Sequence, residues 1–317
     1  MIEENPVRTK IFAVVNPAAN NGRAGRNWPD IRRRLEERGF DISQELTRYP
    51  GHASRLAGRA LENGYDTVLA VGGDGTFSEV AEAFYQKQNS EDNFTERSMR
   101  IYPLGSGCDL ALYFNLKPGQ ALSSKYPVRG SRKEIDLIEL SFSGGGSNNN
   151  RLTAVNIVDL GAVAHSLQKV HDGGRNKSKF SYVSTALLAA LKFSPFSARI
   201  SVDGRQVWQG DILDVFLANG PTMAGGFPLC PPARVEDGQL DLVILPAIGR
   251  FKLMRAFFRA WRGQHLKLPY IEHYQGREVM ISTENGIPVE VDGDYLGDLA
   301  AGEINFKLKP GALNMRV

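Results

Sequence analysis

Apolar runs of strand length recur along the first third of the chain, and each ends in small or glycine-bearing residues. Ile11-Phe-Ala-Val-Val15 runs into Asn16-Pro-Ala-Ala-Asn-Asn-Gly-Arg-Ala-Gly-Arg26. Thr67 to Val71 runs into Gly72-Gly-Asp-Gly-Thr-Phe-Ser-Glu-Val80, and Met99 to Leu104 into Gly105-Ser-Gly-Cys-Asp109. Runs without polar alternation are the pattern of strands covered on both faces. Helical periodicity follows: Trp28, Ile31 and Leu35 share one side, with Arg32, Arg33 and Arg34 largely outside. Strand, loop and helix in succession predict an open parallel α/β sheet, whose loops gather at the carboxyl edge where ligands bind. The polar tract Gln86 to Arg100 predicts a surface loop.

Past residue 130 the pattern changes to short strands: Glu134 to Phe142, Leu152 to Leu160, Arg199 to Val202, Gln206 to Asn219, Leu240 to Leu245, Glu278 to Thr283 and Val289 to Val291. Asp203-Gly204 is a hairpin signal, and Gly144 to Asn150 reads as a solvated hairpin loop. Helical tracts interrupt at Tyr182 to Leu191 and Phe251 to Arg262. This predicts a β-rich second domain with helical insertions, and 317 residues suit two domains.

Composition removes several classes. The hydrophobic share of 42% and charged share of 23% are ordinary for a globular chain. A net charge of +3 is too small to argue for nucleic acid, so none is expected as a partner. No run of eighteen or more apolar residues predicts a membrane span. The polar, acidic start Met1-Ile-Glu-Glu-Asn-Pro6 predicts no signal peptide and hence a cytoplasmic protein. Cys108 and Cys230 have no metal-ligand spacing and read as reduced thiols, with one disulfide between them as the alternative.

The candidate chemistry lies in the loops. Glycine at 72, 73 and 75 omits Cβ atoms where a phosphate would approach the backbone. Asp74 would repel that phosphate unless Mg²⁺ or a hydroxyl proton lies between them. The segment therefore points to phosphoryl transfer, against the plainer reading of a strand-to-helix turn with an N-capping Asp. Neither a Walker loop nor a Gly-x-Gly-x-x-Gly fingerprint is present. An acceptor hydroxyl needs a base within hydrogen-bond reach, and Val291-Asp-Gly-Asp294 offers two carboxylates; a plain Asp-Gly turn is the alternative. Arg23 and Arg26 offer charge to a phosphate or are ordinary solvated arginines. In the tract from Phe251, Met254, Phe257, Phe258 and Trp261 share a face, and Lys252, Arg255, Arg259 and Arg262 share the other. That suits an interfacial helix, or, as the commoner case, a helix packed on its own domain with a solvated basic face.

Taken jointly, Asn16-Pro17, Gly72 to Thr76 with Glu79-Val80, and Pro103 to Asp109 resemble the diacylglycerol kinase catalytic domain, the family of YegS-like bacterial lipid kinases and of sphingosine and ceramide kinases. Ala218-Asn-Gly220, Gly225-Gly226, Pro232 to Asp241 and Val291 to Asp294 continue the likeness in order. The resemblance implies an N-terminal α/β domain of the NAD kinase and phosphofructokinase type, residues 1–130 rejoined by 309–317, and a β-sandwich-like lipid domain, residues 131–308. It implies an active site in the cleft between them. It further implies a kinase moving the γ-phosphoryl group of ATP to a lipid alcohol, diacylglycerol first, with Mg²⁺ and with transient peripheral contact at a membrane.

It places the nucleotide on Asn16, Pro17, Ala18, Ala19, Asn20, Thr47, Gly72, Gly73, Asp74, Gly75, Thr76, Phe77, Ser78 and Ser106. The proton acceptor would be Asp294, with Asp292 in reserve, and Asp74 with Asp109 would form the Mg²⁺-linked part of the site. A structural Mg²⁺ would sit on the Asp237 side chain and the carbonyls of Arg234 and Gln239. Two positions depart from the family: Asp294 stands where Glu is usual, and Cys108 where Asn is usual. Gly-Gly-Asp-Gly-Thr alone also fits an NAD kinase, which would leave Pro103 to Asp109 and Val291 to Asp294 unexplained. Cys108 and Asp294 leave room for a catalytically silent lipid- or nucleotide-binding regulator. A homodimer is compatible with the sequence.

Overall fold

The computed structural model describes residues 10–88, 97–116, 131–142, 151–166, 185 and 187–317. They form two compact units: residues 1–134 with Leu313–Val317, and Ile135–Ala312. The expected loop at Gly144–Asn150 and part of the Tyr182–Leu191 tract lie outside the described residues.

In the N-terminal unit, β1 (Lys10–Val15), β2 (Asp41–Leu46), β3 (Thr67–Gly72) and β4 (Ser98–Pro103) are parallel, in the order β2-β1-β3-β4. Helices α1 (Arg23–Glu36), α2 (His52–Glu62) and α3 (Asp74–Gln88) connect them, and the short α4 (Asp109–Tyr113) follows β4. Every residue of β3 and β4 is buried, which is why β3 reads as an apolar run, whereas β4 buries Arg100 among its apolar residues. β2 carries the polar sequence DISQEL and was not foreseen. As the edge strand it has one neighbour and keeps only Ile42 buried, so it needs no apolar run. The tract expected as a loop from Gln86 instead ends α3 at Gln88 and begins β4 at Ser98. α1 buries Ala24, Trp28, Ile31 and Leu35, the last three each contributing roughly 1.5–3 kcal/mol of transfer free energy.

The C-terminal unit holds β6 (Arg151–Ala154), β7 (Ile157–Gly161), β8 (Phe196–Val202), β9 (Arg205–Ala218), β10 (Leu240–Pro246), β11 (Glu272–Gly276), β12 (Glu278–Thr283), β13 (Ile287–Val291) and β14 (Asp294–Leu299), with most of β5 (Arg132–Phe142) and β15 (Gly302–Arg316). The end of β15 belongs to the N-terminal unit, where Met315 pairs with Met99 of β4. β9 is long enough for two jobs. Its first half pairs with β8 through the Asp203-Gly204 hairpin, and its second half lies between β7 and β10. Both turn residues have positive φ, 47° and 77°, as a tight hairpin of this hand requires.

One side of these strands packs Ile138, Leu160, Ile200, Val215, Leu242, Ile281 and Phe306 into the sandwich core. The other side of β7, β9 and β10 carries Ile157, Phe216 and Val243 against α5 (Arg250–Ala260) and the loop containing Cys230.

Candidate active site

The parallel registers Val15↔Leu46, Val15↔Val71 and Gly72↔Pro103 bring four strand ends to one edge of the N-terminal sheet. Asn16 to Asn20, Thr47, Gly72 to Thr76 and Ser106 therefore gather there. The Asn16 amide donates to Thr76 Oγ1 at 3.1 Å, and its Oδ1 accepts the Ala18 N–H at 3.1 Å. The Thr47 N–H donates to the Val15 carbonyl at 2.8 Å. Three expected members have buried side chains: Phe77 fully, and Thr76 and Ser78 nearly so.

Packing also requires these glycines. A Cβ on Gly72 would stand 2.5 Å from Thr76 Oγ1, and one on Gly105 would stand 3.0 Å from the Gly73 nitrogen. These residues let two loops close on each other. The Gly72 carbonyl accepts the N–H groups of Leu104 and Gly105 at 2.8 and 2.7 Å.

Asp74 lies in the first turn of α3, but its carboxylate reaches the other loop. It accepts the N–H groups of Asp109 at 2.9 Å and Leu110 at 3.2 Å. That satisfies the start of α4. Cys108 stands at the α4 N-cap with φ 56° and is buried. Burial, with the charge of Asp74 next, pushes its thiol far above the ordinary range, so it is no nucleophile. Glu79 accepts the N–H groups of Gly51 and Ala53, both at 2.8 Å, and so caps α2.

In the C-terminal unit, Asp292 (φ 48°) and Gly293 (φ 93°) form the two-residue turn between β13 and β14. The two carboxylates of this turn behave differently. Asp292 is buried, and its oxygens accept the N–H groups of Val155 at 2.7 Å, Asn156 at 3.0 Å and Ile157 at 2.8 Å. Those bonds break the expected single strand Leu152–Leu160 into β6 and β7. Asp294, two residues on, is exposed.

Behind Asp292 lies a cluster the sequence reading missed. Glu290 sits directly opposite Asp159 in the β13–β7 register, and Asp214 of β9 lies diagonal to Asp159, opposite Gly161. All three carboxyls are buried. Burial raises Asp159, Asp214 and Glu290 above the usual carboxylate range, and mutual charge adds to it for each. Asp214 also lines a cavity of about 110 Å³ whose walls are otherwise almost wholly apolar, including Leu187, Phe216, Met223, Phe227, Leu253 and Phe257. The Tyr182–Leu191 tract contributes Leu187 and Ala190 to that wall.

The sequences of known proteins settle the family. The Diacylglycerol kinase catalytic domain matches residues 10–140, and the YegS C-terminal NAD kinase beta sandwich-like domain matches residues 156–317. The chain belongs to the YegS-like lipid kinase family. It is a kinase, built as an α/β domain with a parallel sheet and a β-rich domain. A Diacylglycerol kinase of Staphylococcus saprophyticus is 27% identical over 306 residues, covering 95% of this chain and 94% of that protein. One from Staphylococcus haemolyticus is 28% identical over 298 residues, covering 93% and 84%. A crystal structure of a diacylglycerol kinase from Bacillus anthracis str. Sterne shares the fold, with TM-score 0.69 at 20% identity and coverage of 97% and 96%.

A lipid kinase needs a nucleoside triphosphate donor and usually a divalent cation. The loop Arg234 to Gln239 carries a carboxylate and backbone carbonyls, the oxygen donors a hard cation takes. Asp237 is exposed and its Oδ1 accepts the Gln239 N–H at 3.0 Å. Burial raises its carboxyl, and the charges of Asp241 and Asp136 add to this, an environment that a cation relieves. Asp136 braces the same loop, accepting the N–H groups of Gly238 and Gly311, both at 2.7 Å.

α5 corrects the sequence reading at one position. Leu253, Ala256 and Ala260 are its buried residues, and Phe257 turns toward them. Phe251, Met254, Phe258 and Trp261 remain exposed, Phe251 by 91% and Phe258 by 59%. The helix is thus packed on its own domain and also carries an exposed aromatic stripe. No helix of the described residues is long and apolar enough to cross a membrane. Cys108 and Cys230 are free thiols.

Proposed function

We propose that this kinase transfers the γ-phosphoryl group of ATP to a lipid hydroxyl, with diacylglycerol as the first acceptor. The observation that carries the reading is the apolar cavity of the C-terminal unit. An acyl chain suits such walls, whereas a polar acceptor such as a dinucleotide leaves them unused. The names of the curated relatives point the same way.

The triphosphate is held by the loops from Asn16 to Asn20, at Thr47, Gly72 to Thr76 and Ser106. Backbone N–H groups there meet the charge that spreads over phosphoryl oxygens. Asp74 fixes the two glycine loops against each other, which sets the positions of those donors. Asp74 and Asp109 would hold Mg²⁺, which would supply neutralisation of phosphate charge. The Asp237 side chain and the carbonyls of Arg234 and Gln239 would hold a second, structural Mg²⁺.

Asp294 accepts the proton of the lipid hydroxyl. Asp292 is committed to three backbone N–H groups, so it holds the turn that presents Asp294 and does not itself take the proton. The basic residues Arg250, Lys252, Arg255 and Arg259 flank the aromatic stripe of α5, a combination that suits transient contact with an anionic bilayer from the cytoplasmic side.

The test is to incubate the protein with γ-labelled ATP, Mg²⁺ and a mixed lipid extract. Label in phosphatidic acid supports the reading. Label in a sphingoid product moves the acceptor, and label in no lipid while NAD is phosphorylated replaces the reading.

A further inference from the structure

We propose that Cys230, Asp241 and His273 form a zinc-binding site in the C-terminal unit. Asp241 and His273 lie on adjacent antiparallel strands. Asp241 stands opposite Gln275 and His273 opposite Val243, so they are diagonal neighbours on one face. Cys230 comes from the loop packed on that same face. The three donor atoms all lie within 4.8 Å of one another. His273 Nε2 is 2.6 Å from Asp241 Oδ1 and 4.0 Å from Cys230 Sγ. A tetrahedral zinc ion with bonds of about 2.0–2.3 Å sets its ligand atoms roughly 3.3–3.8 Å apart. Parting the His–Asp pair by under about an ångström, while closing the thiol slightly, reaches that shape.

Burial supplies an independent reason. Asp241 is wholly inaccessible; its Oδ1 meets His273 and accepts from the Gln275 amide at 3.1 Å, and its Oδ2 has no hydrogen-bond partner among the described residues. A buried carboxylate oxygen left in that condition is costly, and a metal ion satisfies it. The Cys230 side chain is also inaccessible, whereas His273 is 25% exposed and leaves one side open for entry and for water as a fourth ligand.

The backbone of the loop is pre-set: the Cys230 N–H donates to the Pro221 carbonyl at 3.1 Å, and the Ala233 N–H to the Cys230 carbonyl at 2.9 Å. His265 Nε2 lies 2.7 Å from the carbonyl of Leu229, the residue before it. A sulfur, nitrogen and oxygen set suits a borderline-soft ion and differs from the all-oxygen loop at Asp237. Binding exchanges the Cys230 thiol proton for the metal: the S–H bond breaks, the S–Zn bond forms, and one proton leaves to solvent.

The experiment uses the full chain, stripped by a chelator at neutral pH. Titration with Zn²⁺ against a chromophoric chelator is expected to show one ion per chain. Co²⁺ in its place is expected to give a thiolate-to-metal charge-transfer band that persists in Cys108→Ser and is lost in Cys230→Ser. His273→Gln and Cys230→Ser should each weaken Zn²⁺ binding by at least about tenfold, whereas Asp237→Ala should leave it unchanged. In the unaltered protein, Zn²⁺ should protect Cys230 from alkylation, read by mass spectrometry, which decides the matter even if a variant fails to fold. Binding weaker than about 10 μM, a band that survives Cys230→Ser, or alkylation of Cys230 that Zn²⁺ does not slow would each overturn the proposal. None of these readouts depends on which lipid is phosphorylated.

Discussion

The two units use carboxylates in different places. In the N-terminal unit, Asp74 and Glu79 stand on α3 and reach out to the starts of other helices, closing loops whose strands are plainly apolar. In the C-terminal unit, Asp159, Asp214 and Glu290 lie inside the sheet itself, and Asp292 is buried beside them. A helix start accepts a carboxylate at little cost, because its N–H groups want an acceptor. A sheet interior accepts one only by keeping it protonated or by filling it with donors. The first arrangement ties the two glycine loops into one rigid rim. The second places protonatable groups behind the turn that carries Asp294.

The largest stability effect expected from breaking this contrast is at Asp292. Asp292→Ala leaves three buried backbone N–H groups without an acceptor and should cost about 3 kcal/mol or more by denaturant unfolding. Gly105→Ala tests the loop contact of the other unit. Its Cβ would press on the backbone of Gly73, so a cost of about 2 kcal/mol and a raised KM for ATP are expected.

The buried acids then make a pH prediction. Their folded values are raised, so the folded state holds more protons than the unfolded chain above about pH 4, where unfolded carboxyls ionise. Stability of the C-terminal unit should fall as pH rises through that window, by up to about 1.4 kcal/mol per pH unit for each such proton. Native-state hydrogen exchange on the full chain should show this slope at β7 and β9, and Glu290→Gln should flatten it. Glu79→Gln is the mildest change. It keeps an acceptor and should cost about 1 kcal/mol or less, read as faster exchange at the start of α2.

β1 and β3 were legible because they are buried inside the sheet and apolar along their length, and β4 showed through its apolar residues although Arg100 is buried within it. β2 was not, because an edge strand needs no such run. Leu152–Leu160 read as one strand since nothing nearby in sequence interrupts it; Asp292 does so from more than 130 residues away. The glycine loops were found by composition, but their close approach at Gly73 and Gly105 is a contact between distant segments. Cys230, Asp241 and His273 left no trace in spacing. Their strands and loop meet only through the β10–β11 register and the packing of the Cys230 loop. Exposure separated Asp292 from Asp294, two residues that look alike in the sequence.

The most direct measurement is the single-turnover rate of γ-phosphoryl transfer from ATP to diacylglycerol vesicles by Asp294→Asn and Asp294→Glu, with ATP affinity measured alongside. Asp294→Asn should transfer about 10³-fold more slowly with ATP binding unchanged, and Asp294→Glu should keep most of the rate. Transfer by Asp294→Asn within about tenfold of the unaltered protein would contradict the assignment of Asp294 as the proton acceptor.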